Sequence, residues 1–154
     1  MQEIEPVIEG LNIAITARCT QSSLSRWWSV GADEAQRAVN GERNGSYSFH
    51  TDYEDRPFLL IDFNDVVDFD EIVVFNRLYP DISIPRARTL CVDISIDGEG
   101  WHRVYEGSQQ AKDFGGIDGN PLRIFCSGYN TRFVRLQLQE PNHLHLDSVE
   151  IYKY

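Results

Sequence analysis

The sequence predicts an all-β fold, an antiparallel β-sandwich of the jelly-roll type. Short stretches alternate apolar and polar residues with period two. Clusters of Gly, Asp, Asn and Pro separate them. Helical character is confined to one short stretch, residues 32–39. Several short strands punctuated by turns, with almost no helix, are the pattern of a sandwich. In such folds the functional residues gather on loops at one end.

Taken in order, residues 1–10 read as an acidic linker or disordered lead-in, and residues 11–154 as one domain. The first strong strand signal is Phe58 to Phe63, where Leu59, Ile61 and Phe63 alternate with Leu60 and Asp62. Residues 71–77 are almost continuously apolar and end in Asn76-Arg77. Val92, Ile94 and Ile96 alternate with Asp93 and Ser95 and meet the turn signal Asp97-Gly98-Glu99-Gly100. Residues 101–105 resume as the hairpin partner. Leu122, Ile124 and Cys126 mark a further strand, as do Val134, Leu136 and Leu138, then Val149 and Ile151.

Composition narrows the function. At 154 residues the chain is long enough for a real core in one domain. A net charge of −10, with Lys112 and Lys153 as the only lysines, excludes a general nucleic-acid binder and disfavours anionic membranes. No apolar run approaches the roughly 20 residues that span a bilayer, so membrane insertion is not expected. The N-terminus lacks the basic and apolar regions of a signal peptide. Cys19, Cys91 and Cys126 are odd in number and far apart, which fits reduced thiols rather than a disulfide framework or a zinc site. These features favour a cytosolic location for the chain as given. A secreted or cell-surface location follows if it is a domain excised from a larger protein.

Four constellations carry chemistry. His50, Arg77 and Arg86 place one imidazole and two guanidiniums near predicted strand ends, with Asp81 in the loop between the arginines. Planar, fixed donors of this kind suit a hydroxyl-rich ligand. The competing reading is structural, with the arginines paired to acids such as Asp81 and Asp52 and His50 capping a loop. Trp27, Trp28, Tyr47, Phe49, Tyr53 and Tyr79 supply aromatic faces. Phe49 and one tryptophan read as core, and Tyr79, beside Pro80 in the loop, reads as the ligand-facing ring. The loop from Asn40 through Asn44 to Ser48 is rich in oxygen and can wrap calcium, or it is an ordinary turn-rich loop. His102, His143 and His145 read as ordinary polar positions, although the i, i+2 spacing of the last two puts both rings on one face of an extended segment. No nucleophile elbow, His-Glu-x-x-His or phosphate-binding glycine loop is present, and no carboxylate pair stands out, so an enzyme is not expected.

These motifs resemble a known family. Asn12-Ile13-Ala14, Thr20-Gln21-Ser22-Ser23 and Ala38-Val39-Asn40-Gly41 are similar to the opening of discoidin-like domains, which include coagulation-factor C-type domains, bacterial carbohydrate-binding modules and the fucose-binding F-type lectins. Residues 57–63, Val92 through Trp101 and Thr131-Arg132-Phe133-Val134-Arg135-Leu136 resemble later motifs of the same family, and residues 146–152 its closing strand. The resemblance covers residues 11–154 and implies a galactose-binding-domain-like jelly roll. F-type lectins add a His, 26 residues, an Arg, an Asp-containing loop and a second Arg or Lys, and here 26 residues separate His50 from Arg77 and four separate Asp81 from Arg86. Two features depart from that signature. Arg77-Leu78-Tyr79-Pro80-Asp81 is two residues longer than the family's Arg-x-Asp, and the adjacent cysteine pair is absent.

The resemblance implies a glycan or monosaccharide bound by His50, Arg77, Tyr79, Asp81 and Arg86. It also implies a structural Ca2+ held by Asn40, Asn44, Ser48 and Glu150, although Ser148 stands where the family has its glutamate ligand. The leading reading is a non-catalytic carbohydrate-binding module, attached to further domains of a parent protein if the chain is a piece of one. The alternative is a protein-interaction or adhesion domain on the same fold with no sugar site.

Overall fold

The computed structural model describes residues 10–26 and 33–154. Trp27, Trp28 and nearly all of the predicted lead-in lie outside the described residues. Ten strands are present: β1 (Leu11–Asn12), β2 (Arg18–Gln21), β3 (Phe49–His50), β4 (Phe58–Asp68), β5 (Glu71–Asn76), β6 (Leu90–Ser95), β7 (His102–Glu106), β8 (Leu122–Phe125), β9 (Asn130–Leu138) and β10 (His145–Lys153). The predicted helical stretch forms a 3-10 helix over Glu34–Val39, and two others cover Ile13–Thr16 and Asp81–Ala87. The described residues contain no α-helix.

The strands form two antiparallel sheets. One runs β1-β10-β5-β8, with β3 also paired to β10; the other runs β2-β4-β9-β6-β7. The opening and closing strands pair, Leu11 opposite Lys153. The predicted hairpin forms between β6 and β7.

Period-two alternation is what lets the sheets bury one face each. Leu59 and Ile61 of β4, Val134 and Leu136 of β9 and Val92 and Ile94 of β6 face Ile72 and Val74 of β5 and Val149 and Ile151 of β10 in one cluster. Each such side chain contributes about 1.5–3 kcal/mol by leaving water. The continuous apolar run of β5 has its own cause. Its alternate residues, Val73 and Phe75, face outward into a second cluster with Leu78, Ile117 and Tyr152, so loops cover the outer face of the sheet as well. The three cysteines are unpaired and buried.

Two details of β10 shape one end of the sandwich. Its first residue, His145, pairs with His50, and Leu146 pairs with Asn76, so β3, β10 and β5 lie side by side there. The register then slips between Leu146 and Ser148. A bulge of this kind re-aims the extra residue, here Asp147, away from the ladder.

Candidate ligand site

The end of the sandwich where β3 finishes and β10 begins gathers the predicted polar residues. His50 is held through its backbone, whose N–H donates to the buried carboxylate of Glu34 at 3.2 Å. Its ring is held by Thr51. The carbonyl of Thr51 accepts from Nδ1 of His50 at 2.8 Å and from Nδ1 of His143 at 3.1 Å. A carbonyl can only accept, so in the neutral ring Nδ1 carries the proton and Nε2 of His50 is a bare acceptor. Burial, opposed by the Thr51 bond and reinforced by His143, Arg77 and Arg86, holds His50 below its ordinary pKa of 6.5.

Arg77 follows β5 directly. Its Nε donates to the carbonyl of Tyr79 at 2.7 Å, and its guanidinium lies over the Tyr47 ring, 4.7 Å from the centroid. Tyr47 in turn meets His50 edge-on at 5.2 Å. Arg86 comes from the 3-10 helix Asp81–Ala87, which Asn76 ties to β5 through a bond from Nδ2 to the carbonyl of Ile84 at 3.2 Å. The Nη1 of Arg86 lies 3.4 Å from Nε2 of His145. Burial and then Arg86 lower the pKa of Arg77, while Tyr47 opposes them. Among the described residues neither Arg77 nor Arg86 forms an ion pair. The structural reading, in which Asp52 or Asp81 neutralises them, is therefore not what this fold adopts.

His50, Arg77 and Arg86 are thus brought together. Asp81 lies exposed at the start of its helix and engages neither arginine. Tyr79 is 55% exposed, and its ring is close to Gly45, whose φ of +80° and lack of a side chain make room for it. The ring at the arginine is Tyr47 instead. Phe49 is fully buried, as expected, and Tyr53 is exposed with its ring edge-on to His143 at 5.6 Å.

The reading of His143 and His145 as ordinary polar positions is corrected here. Their rings lie 5.0 Å and 5.1 Å from that of His50. Their i, i+2 spacing was the available signal. It could not reveal that the segment pairs with the strand carrying His50. His102 does lie elsewhere, bonded to Tyr129 at 3.0 Å. It lines a cavity of about 430 Å³ with Ile94, Ile96 and Trp101. That cavity lies at the C-terminal end of β6, and none of His50, Arg77, Arg86, His143 and His145 lines it.

Three of the four predicted calcium residues, Asn40, Asn44 and Ser48, line a smaller cavity of about 130 Å³ with Arg37, Glu42, Tyr47 and Asp147, and Glu150 does not. Oxygens of all four accept from protein donors. The carbonyl of Ser48 accepts from Nε of Arg37 at 2.8 Å. The side-chain oxygens of Asn40 and Asn44 accept from the backbone N–H groups of Glu42 and Ser46 at 2.9 and 2.8 Å. Both oxygens of Glu150 accept from Arg43 at 2.6 Å, and the hydroxyl of Tyr152 donates to the same carboxylate. Asp147, placed by the bulge, accepts from the backbone of Asn44 at 3.1 Å and of Gly45 at 2.8 Å. Burial raises its pKa against those two bonds. No three of its His, Cys, Asp and Glu side chains gather around a metal position among the described residues.

The candidate site therefore holds two forked donors, imidazole acceptors and aromatic edges. It can exchange hydrogen bonds with several neutral hydroxyls at once.

Comparison with known proteins agrees with this architecture. The family model of the F5/8 type C domain matches residues 18–150. A comparison with curated protein sequences returned no match. Among solved structures, the lectin domain of lectinolysin complexed with Lewis B antigen superposes with a TM-score of 0.76 at 22% identity, covering 96% of this chain and 99% of that one. A Streptococcus pneumoniae fucose binding module, SpX-3, gives 0.74 at 25% identity, covering 94% and 98%. An f-lectin from striped bass (Morone saxatilis) serum gives 0.73 at 24%, covering 94% of this chain and 47% of that one.

Proposed function

The chain belongs to the F5/8 type C (discoidin) domain family, and from there we propose that it is a non-catalytic carbohydrate-binding module whose glycan sits among His50, Arg77 and Arg86. The observation that carries this reading is the convergence of those three side chains from two separate stretches of sequence, with no carboxylate among the described residues to neutralise the arginines. Guanidinium N–H groups donate to sugar hydroxyls and ring oxygens. The bare Nε2 of His50 accepts a hydroxyl proton, so one sugar face meets both kinds of partner. Tyr47 and Tyr53 supply ring edges beside the polar centre.

The similar structures support the reading, since their names describe a Lewis B complex and fucose binding. The longer loop from Arg77 to Asp81 and the exposed Asp81 set this chain apart, so the sugar it selects need not be fucose. The loop of Asn40 to Ser48 is proposed to be held by Arg37 and Arg43 without calcium. A glycan array with the wild-type chain and Arg77→Ala tests the function. We expect a defined set of glycans bound by the wild type and lost in the variant. An array with no glycan bound above the variant's background overturns the proposal.

A further inference from the structure

We propose that His145 is a positioning residue for this site: its buried ring accepts a hydrogen bond from Arg86 and packs on His50, and so fixes the direction in which both present their polar atoms.

The geometry is specific. His145 and His50 are directly opposed across β10 and β3, and their rings lie 5.1 Å apart at 39°. Nη1 of Arg86 is 3.4 Å from Nε2 of His145. A guanidinium can only donate, so Nε2 is unprotonated and the ring proton sits on Nδ1. His145 is 2% exposed, which leaves it behind the site rather than on its surface.

The cost of the residue argues for a role. Among the described residues Nδ1 of His145 has no hydrogen-bond partner. A buried polar atom left in that state is unfavourable, and an apolar ring of similar shape would avoid it. Packing alone gives no reason for an imidazole here, whereas the bond to Arg86 does. Arg86 has no other hydrogen-bond or ion-pair partner among the described residues, so without His145 its long side chain is free to adopt several rotamers. A ligand would then have to order it, which weakens binding. Burial, together with His50, Arg77 and Arg86, pushes His145 down to a pKa of about 2, so the ring stays an acceptor throughout the neutral and mildly acidic range.

The inference rests on the glycan reading only for its ligand. The test uses His145→Phe, which keeps a ring, and His145→Gln, which restores an acceptor, each alone and combined with Arg86→Ala. Titration calorimetry uses methyl α-L-fucoside and methyl β-D-galactoside as probes. Nitrogen-15 NMR reads the arginine guanidinium signals, and thermal melts report folding. We expect a folded His145→Phe with at least tenfold weaker binding, recovery within about threefold in His145→Gln, and less than a twofold effect of His145→Phe once Arg86 is Ala. Unchanged affinity in His145→Phe, or the same loss in both backgrounds, overturns the inference. If the wild type binds neither glycoside, the NMR signal decides. A restricted Arg86 guanidinium that becomes freely rotating in His145→Phe and recovers in His145→Gln supports the positioning role, and an unchanged signal refutes it. If His145→Phe does not fold, the same comparison is made with His145→Leu and His145→Gln.

Discussion

The guanidinium carbon of Arg77 lies 4.7 Å from the centre of the Tyr47 ring, and that ring meets His50 edge-on. One aromatic therefore contacts both the donor and the acceptor of the candidate site. It arrives on the same loop that Asp147 and Arg43 tie to the closing strand. A cation over a ring face contributes about 0.5–2 kcal/mol, depending on desolvation. Tyr47→Phe keeps that face and is expected to bind within about twofold of wild type. Tyr47→Ala is expected to lose roughly 3- to 30-fold by calorimetry. Equal affinities for Tyr47→Ala and wild type would show that the ring contributes nothing to the site.

Arg77 separates a binding role from a structural one. Among the described residues it has no carboxylate partner, and its Nε bond goes to a carbonyl of its own loop. Arg77→Ala should therefore cost about 1.5–3 kcal/mol of glycan binding, the scale of hydrogen bonds to charged groups. Its melting temperature should stay close to wild type. A large drop in stability with binding intact would assign Arg77 to the fold instead.

Much of this was legible in the sequence, and the omissions have physical causes. Alternation exposed β4 and β9, which bury one face each, and β6 and β10, whose inward apolar residues alternate with polar ones such as Asp93, Ser148 and Glu150 that are buried on the other face. The run of β5 was legible as a strand, but not the second cluster of Phe75, Leu78, Ile117 and Tyr152 that explains it. His50, Arg77 and Arg86 were found by residue chemistry and by spacing within a family signature. Sequence order points to Tyr79 rather than Tyr47, because Tyr79 lies between the arginines. Only the fold shows that its ring sits by Gly45 while Tyr47 approaches Arg77. The place of His143 and His145 is not legible locally, because their partner segment is some 90 residues away and no local pattern records that pairing. The pairing of Glu150 with Arg43, more than 100 residues earlier, is likewise invisible to any local pattern.

Arg43 and Glu150 form a largely buried, bidentate pair, with the guanidinium also 4.2 Å from the centre of the Phe75 ring. Removing one partner leaves the other charge buried. Arg43→Met should destabilise the domain by about 3–5 kcal/mol in urea unfolding. The double change Arg43→Met with Glu150→Leu should recover most of that, since no charge is then stranded. A single mutant within about 0.5 kcal/mol of wild type would show that the pair does not hold the loop.

Calcium offers a second test of the same loop. A ligand that binds only the native state raises its melting temperature by mass action. With Ser48, Asn40, Asn44 and Glu150 engaged by protein donors, melts in EDTA and in millimolar calcium should coincide within experimental error. A rise of several degrees with calcium would restore the metal to this loop and displace Arg37 and Arg43 as its fasteners.

The buried imidazole of His145 sets how stability varies with pH. Its native pKa is about 2 against an ordinary 6.5, with burial as the first cause. Below pH 6.5 the unfolded chain binds a proton at this position that the native chain refuses. The unfolded state therefore holds more protons, and stability falls as pH falls. The stabilisation is fully present above about pH 6.5 and is lost progressively toward pH 2. One such proton gives a slope of about 1.4 kcal/mol per pH unit. His50, also lowered by burial, acts in the same direction, and the buried Asp147, whose pKa is raised, acts in the opposite one. Urea unfolding at pH 7, 6 and 5 should show wild type losing stability with acid, and His145→Phe losing less by about one proton's slope. Parallel curves for the two proteins would mean that His145 is not held neutral in the native state.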